Sequence, residues 1–136
     1  VEELNPLLRH HRLEVPADVH RHVIADEARL RQVMEHLVEN AVKYAPPGTT
    51  ISIETSLQEG VVQLAVEDGG PGVPEDWRER IFEPYARRET RTARGSGIGL
   101  YAARRLCESM GARLWCEPGR EGGARFVVAL SAAVAL

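Results

Sequence analysis

Lysine is almost missing from this chain. Of 17 basic residues only Lys43 is a lysine, and the rest are arginines. A phosphate loop of the Gly-Lys-Ser/Thr type needs its lysine directly after a glycine. Lys43 follows Val42, so that architecture is excluded. The GxGxxG dinucleotide fingerprint is missing as well, because Gly95, Gly97 and Gly99 are spaced GxGxG. Cysteine is scarce: Cys107 and Cys116 are the only two, with no CxxC spacing. They read as small core thiols of a reduced, cytosolic compartment. There is no excess of positive charge. A net charge of −3 creates no field for a nucleic-acid backbone, so no nucleic-acid partner is expected. No apolar run approaches a membrane span and no signal-peptide layout opens the chain, so no direct membrane contact is expected.

What is present is an ordinary globular mixture, 43% hydrophobic and 27% charged over 136 residues, enough for one cored domain. Residues 1–136 read as a single domain cut from a longer protein. Residues 12–15 and 21–25 read as short strands, and Asp26 as a helix cap. Leu30, Val33, Met34, Leu37, Val38, Ala41 and Val42 then follow helical spacing until Pro46-Pro47-Gly48 stops it. Residues 50–57 and 61–67 alternate as a hairpin around Gln58-Glu59-Gly60. A short helix is expected over Pro74–Phe82, a mobile lid over 84–96 and a helix over 97–110. Strands at 112–117 and 124–130 are joined by Pro118-Gly119-Arg120-Glu121-Gly122-Gly123. Strand pairs separated by helices predict an α+β fold, a two-layer α/β sandwich with a mixed, mostly antiparallel sheet and helices on one face.

Three pieces carry chemistry. On the first long helix, His36, Asn40, Lys43 and Tyr44 form one stripe beside the apolar face. Asparagine is a poor helix former, so Asn40 in mid-helix needs a reason. It is either a boundary residue bonded to a loop or a hard oxygen ligand of the kind magnesium accepts. Alone, the two readings are even; the glycine clusters downstream favour the ligand. Asp68 closes an apolar strand and enters Gly69-Gly70-Pro71-Gly72. A lone Asp before Gly most often makes an Asx-turn. In this company its carboxylate reads as an acceptor for an adenine amino group, with Gly70 and Gly72 letting the chain pass close to the base. Gly95-Ser96-Gly97-Ile98-Gly99-Leu100 enters a helix without an acidic first turn, which leaves backbone N–H groups for phosphates. Just before it, Arg91 and Arg94 are the candidates for the γ-phosphate, a role suited to a bidentate guanidinium. The histidines His10, His11, His20 and His22 lack zinc spacing with the cysteines and read as surface residues.

In this combination the chain resembles the catalytic ATP-binding domain of bacterial sensor histidine kinases. These share a superfamily, and the Bergerat ATP-binding fold, with gyrase, mismatch-repair and heat-shock-chaperone ATPases. Arg31 to Pro46 is similar to the family's N box, and Asp68, Gly70 and Gly72 to its first glycine box. Ile81-Phe82-Glu83-Pro84-Tyr85 is similar to the F box that roots the lid, and Gly95, Gly97 and Gly99 to the second glycine box. The resemblance implies that Asn40 holds Mg2+, Lys43 approaches the phosphates, Tyr44 lies against the adenine and Asp68 reads it. It places His36, Phe82, Ser96, Ile98 and Leu100 among the nucleotide-binding residues, and Asn40, Arg91 and Arg94 in the catalytic set. Two positions depart from the pattern: His36 stands where these kinases usually carry Asn, and Gly69 replaces an Asn. Nothing in the chain resembles the helical hairpin that bears the phospho-accepting histidine.

The implied function is transfer of the γ-phosphate of Mg-ATP to a histidine on a separate dimerisation domain, and from there to a response regulator. The domain itself is expected to be monomeric and cytoplasmic, the full-length protein homodimeric. Two alternatives share these motifs: a serine kinase of the anti-sigma-factor type, and a nucleotide-binding regulatory module without catalysis.

Overall fold

The computed structural model describes residues 12–14, 27–85 and 98–131. The expected strand at 21–25, the Asp26 cap and most of the 84–96 lid lie outside the described residues. Helix α1 spans Glu27–Tyr44. Its apolar spacing turns Leu30, Val33, Leu37, Val38 and Ala41 into the core, with Met34 and Val42 packed at the margin. Ala45 still donates to the Ala41 carbonyl at 2.9 Å, and the chain then turns back through Thr49, whose N–H donates to the Pro46 carbonyl at 3.2 Å.

Strands β1 (Arg12–Glu14), β2 (Thr50–Gln58), β3 (Val61–Glu67), β4 (Arg113–Pro118) and β5 (Ala124–Ser131) make one sheet in the order β1-β2-β3-β5-β4. β1 runs parallel to β2, and the other neighbours are antiparallel. The β2–β3 turn has φ of 51° at Glu59 and 77° at Gly60. Two positive φ values in a two-residue loop match the twist of the strands they join. Helix α2, Gly99–Ser109, packs on α1 and against β4. Ile51, Leu64, Val66, Leu114, Phe126 and Val128 point into the layer between sheet and helices. The described residues therefore form the two-layer α+β sandwich that the sequence predicts.

The segment after the first glycine cluster differs from expectation. In place of one short helix it makes two 3-10 turns, Glu75–Trp77 and Arg80–Phe82. Only Ile81 and Phe82 are buried there, too little apolar surface to hold a full α-helical turn against the core. Phe82 meets Phe126 edge-on at 6.1 Å between ring centres. The Arg104 guanidinium of α2 lies 4.0 Å over the other side of the Phe82 ring. The same group forks onto Glu79 at 2.9 and 3.1 Å and donates to the Leu114 carbonyl at 2.9 Å. One side chain thus ties the 3-10 segment, α2 and β4 together. Cys107 and Cys116 are buried in the core, and burial pushes the Cys107 thiol up to about 12.

The sheet face turned away from the helices carries an ionic cluster. Arg125 Nη1 donates to Glu54 at 2.6 Å and to Glu67 at 2.9 Å, while Arg120 reaches Glu54 at 2.7 Å. The hydrogen bond from Arg125 holds the Glu54 carboxyl below its ordinary value of 4.5; burial opposes the shift and Arg120 adds to it. A depressed carboxyl pKa contributes stability that is present above the unfolded value and lost as pH falls through the folded one. Glu54→Gln should therefore be less stable than wild type at pH 7. The gap should close below pH 4.5, where the wild-type carboxyl becomes neutral like the amide. Urea unfolding across that range measures it; a pH-independent gap would mean that Glu54 acts through packing.

Candidate functional site

The functional stripe of α1 is bracketed by the two glycine clusters. At one end, a Cβ on Gly70 would lie 3.0 Å from the Tyr44 carbonyl oxygen and 3.0 Å from Asp68 Oδ1. At the other, a Cβ on Gly99 would lie 3.7 Å from His36 Nδ1. His36 and Tyr44 are two helical turns apart, about 12 Å along the axis. Asn40 sits between them, one turn from each. Its amide nitrogen is fully buried and has no hydrogen-bond partner among the described residues. Buried polar atoms are nearly always satisfied, so an exception marks a position built for something else. An amide can present either oxygen or nitrogen by turning about its last torsion.

Near the Tyr44 end, Asp68 is the one charged side chain that is buried among the described residues. Its Oδ1 accepts from Gly70 N–H at 2.8 Å and from Ala124 N–H at 3.3 Å. Its own N–H donates to the Ala124 carbonyl at 3.0 Å. The Asx-turn and the aimed carboxylate are therefore one arrangement: the turn fixes the direction in which the carboxylate points. A Cβ on Gly72, where φ is 77°, would stand 2.5 Å from the Gly122 carbonyl oxygen, and one on Gly123 would collide with the Asp68 carbonyl. The β4–β5 turn is thus seated directly against the first glycine cluster. The sequence reading took Gly122 and Gly123 as turn residues only. Their signal was a glycine pair at the mouth of the last strand.

Near the His36 end, α2 starts at Gly99 with no side-chain cap and no acidic residue in its first turn. The first N–H groups of an α-helix have no intrahelical partner, and here no side chain competes for them. Ile98, 39% exposed, stands at this mouth, whereas Leu100 packs against the core. Phe82 is only 3% exposed, held between Phe126 and Arg104, so it faces the core. Lys43 is exposed and lies 3.9 Å from Glu39 one turn back. Arg91, Arg94, Gly95, Ser96 and Gly97 lie outside the described residues. A separate cleft of about 450 Å³ is lined by Glu79, Phe82, Tyr101, Arg104 and Glu108, and takes in neither Asn40 nor Asp68.

The family model for histidine kinase-, DNA gyrase B- and HSP90-like ATPases matches residues 25–134. The chain belongs to this family. Within it the chain is 44% identical over 108 residues to the adaptive-response sensory kinase SasA of Nostoc sp., covering 76% of this chain and 26% of that protein. It is 42% identical over 93 residues to the sensor protein PfeS of Pseudomonas aeruginosa, covering 68% of this chain and 21% of PfeS. The crystal structure of full-length ShkA in complex with AMPPNP superposes with a TM-score of 0.83 at 30% identity, over 98% of this chain and 28% of ShkA. The chain spans under a third of each of these relatives. It is the ATP-binding ATPase domain of the family.

Two glycine substitutions separate the wedge at the base-side end from ordinary turn strain. Gly111 follows α2 at φ 72° with nothing near its Cβ position, so Gly111→Ala should cost about 1 kcal/mol of stability through backbone strain and leave AMPPNP affinity intact. Gly123→Ala drives a methyl group into the Asp68 carbonyl and should weaken AMPPNP binding as well. Denaturant unfolding and titration calorimetry on both variants decide it. Equal affinities would show that the β4–β5 turn does not set the position of Asp68.

Proposed function

We propose that this domain binds Mg-ATP and presents the γ-phosphate to a histidine on a separate dimerisation domain of a two-component sensor kinase. The observation that carries the reading is the buried Asn40 amide nitrogen, without a hydrogen-bond partner among the described residues, one turn from Tyr44 beside Gly70 and one turn from His36 beside Gly99. The nucleotide lies along this stripe, base toward Tyr44 and phosphates toward His36 and the start of α2. Asp68 accepts a hydrogen bond from the adenine amino group, its carboxylate held in line by Gly70 and Ala124. The open N–H groups of α2 take phosphate oxygens, and Lys43, on the exposed side of the stripe, stands to neutralise phosphate charge. Arg91 and Arg94 are assigned to the γ-phosphate.

Among the described residues no group of three His, Cys, Asp or Glu side chains is placed to hold a metal. An ion arriving with its nucleotide would be held by the oxygen of Asn40, a hard ligand of the kind magnesium accepts. Bound there, Mg2+ would offset the charge on the triphosphate. No carboxylate stands on the stripe to act as a general base, and transfer to histidine needs none, because a neutral imidazole nitrogen is already nucleophilic near pH 7. Positioning and charge neutralisation are what this scaffold supplies. Identities of 44% and 42% to proteins named as a sensory kinase and a sensor protein support the reading. By this reading the product histidine is the phosphodonor to a response regulator, and the parent protein is a dimer.

Asn40→Ala discriminates function from packing. Alanine is the better helix former and leaves no buried amide unsatisfied, so the variant without ligand should be at least as stable as wild type. AMPPNP affinity should fall in magnesium and change much less in EDTA. Equal losses in both buffers would make Asn40 structural. Asp68→Asn should cost about ten- to a hundredfold in affinity, the range for losing a charge-assisted hydrogen bond. Mixed with a histidine-bearing dimerisation domain and γ-labelled ATP, the wild-type domain should place an acid-labile, alkali-stable label on that partner. An acid-stable label on serine would favour the serine-kinase reading.

A further inference from the structure

The ionic cluster on the outer face of the sheet is confined to one place. Register puts Glu67 opposite Arg125, one residue before Asp68 and one residue after Ala124. Arg125 Nη1 bridges Glu67 and Glu54, and its Nε lies 3.6 Å from Glu117 across the next strand. Arg120, in the β4–β5 turn, donates its backbone N–H to Glu67 at 2.9 Å and its guanidinium to Glu54 at 2.7 Å. Three carboxylates and two guanidiniums thus grip both the strand end that carries Asp68 and the turn that backs it. Further along β4, Trp115 Nε1 donates to Glu117 at 2.8 Å, while Arg113 lies over the Trp115 ring at 5.3 Å and makes none of the bonds that hold the turn.

We infer that Arg120 and Arg125, with Glu54, Glu67 and Glu117, are positioning residues for base recognition, holding the β4–β5 turn against Asp68 so that its carboxylate meets the adenine amino group. None of them needs to touch the nucleotide, and the inference rests on the nucleotide reading above. The coupling path is short and rigid. Arg120 is drawn down onto Glu54 and Glu67, and the turn is closed by the Gly119 N–H to the Gly123 carbonyl at 2.7 Å. The Gly122 carbonyl then abuts Gly72 and the Asp68 carbonyl abuts Gly123, leaving no room for a side chain on Gly72 or Gly123. A turn freed from Glu54 and Glu67 has no other ionic hold among the described residues, and the two Asp68–Ala124 hydrogen bonds shift with it. Arg125 sits in the middle, its side chain 19% exposed. Burial alone would pull its pKa down, but the hydrogen bonds to Glu54 and Glu67 hold it above its ordinary value, so the clamp stays charged.

The test is base selectivity, which a merely structural role would not move. Affinities for AMPPNP and GMPPNP are measured for wild type, Arg120→Ala, Arg125→Ala, Arg125→Lys and Arg113→Ala. Arg120→Ala and Arg125→Ala should lose about three- to tenfold for the adenine analogue and little for the guanine analogue, which has no amino group at the base position that Asp68 reads. Arg125→Lys should recover much of the loss, because one nitrogen makes both bonds to Glu54 and Glu67. Arg113→Ala should match wild type. In 15N spectra of the ligand-free protein, Arg120→Ala should also move the Gly70 amide, which donates to Asp68. The Arg120 side chain is 68% exposed, so this variant folds even if Arg125→Ala does not. A wild-type adenine preference retained by Arg120→Ala, with an unmoved Gly70 amide, overturns the inference. Failure of the wild type itself to bind AMPPNP would instead remove the nucleotide reading and this inference with it.

Discussion

Asp68 and Ala124 hold each other through two hydrogen bonds, one between backbones and one from backbone to carboxylate, where β3 and β5 reach the rim of the sheet. A buried carboxylate is costly unless donors meet it, and here the donors are main-chain N–H groups fixed by strand pairing. The sheet register therefore decides where the negative charge points. It also decides what can stand beside it: the carbonyl of Asp68 occupies the space that any side chain on Gly123 would need. The glycines at this rim mark how closely three pieces of backbone, distant in sequence, have been brought together.

The α1 stripe answers to a second constraint. The same helix must bury one side in the core and keep a polar edge over the cleft. Leu37, Val38 and Ala41 do the first, while Asn40 lies among them with a buried nitrogen left unsatisfied. A buried donor without a partner costs a fold stability until a polar group meets it. Sites of this kind are where local rules of good folding give way to function.

Much of this was legible in the sequence. The 3.6-residue spacing from Leu30 to Val42 located α1 and its buried face. Strand pairs and their turns were readable because alternation and turn residues are local signals. The segment from Pro74 to Phe82 reads as one short helix from sequence alone. Its two 3-10 turns answer to the position of Phe82 between Phe126 and Arg104, partners that lie far along the chain. The seating of Gly122 and Gly123 against Asp68 was equally hidden. A glycine pair advertises a turn, but which backbone it touches depends on a register between strands more than fifty residues apart.

Arg104 has one further consequence. β4 lies at the end of the strand order, the position from which sheets grow by recruiting strands from neighbouring molecules. The guanidinium that stacks on Phe82 and forks onto Glu79 also engages the Leu114 carbonyl on that strand, and Pro118 ends it with a residue that has no N–H to offer. β4 is thereby a poor template for an incoming chain. Where copies of such a domain are held close together, this blunted edge protects them from sticking to one another and forming aggregates.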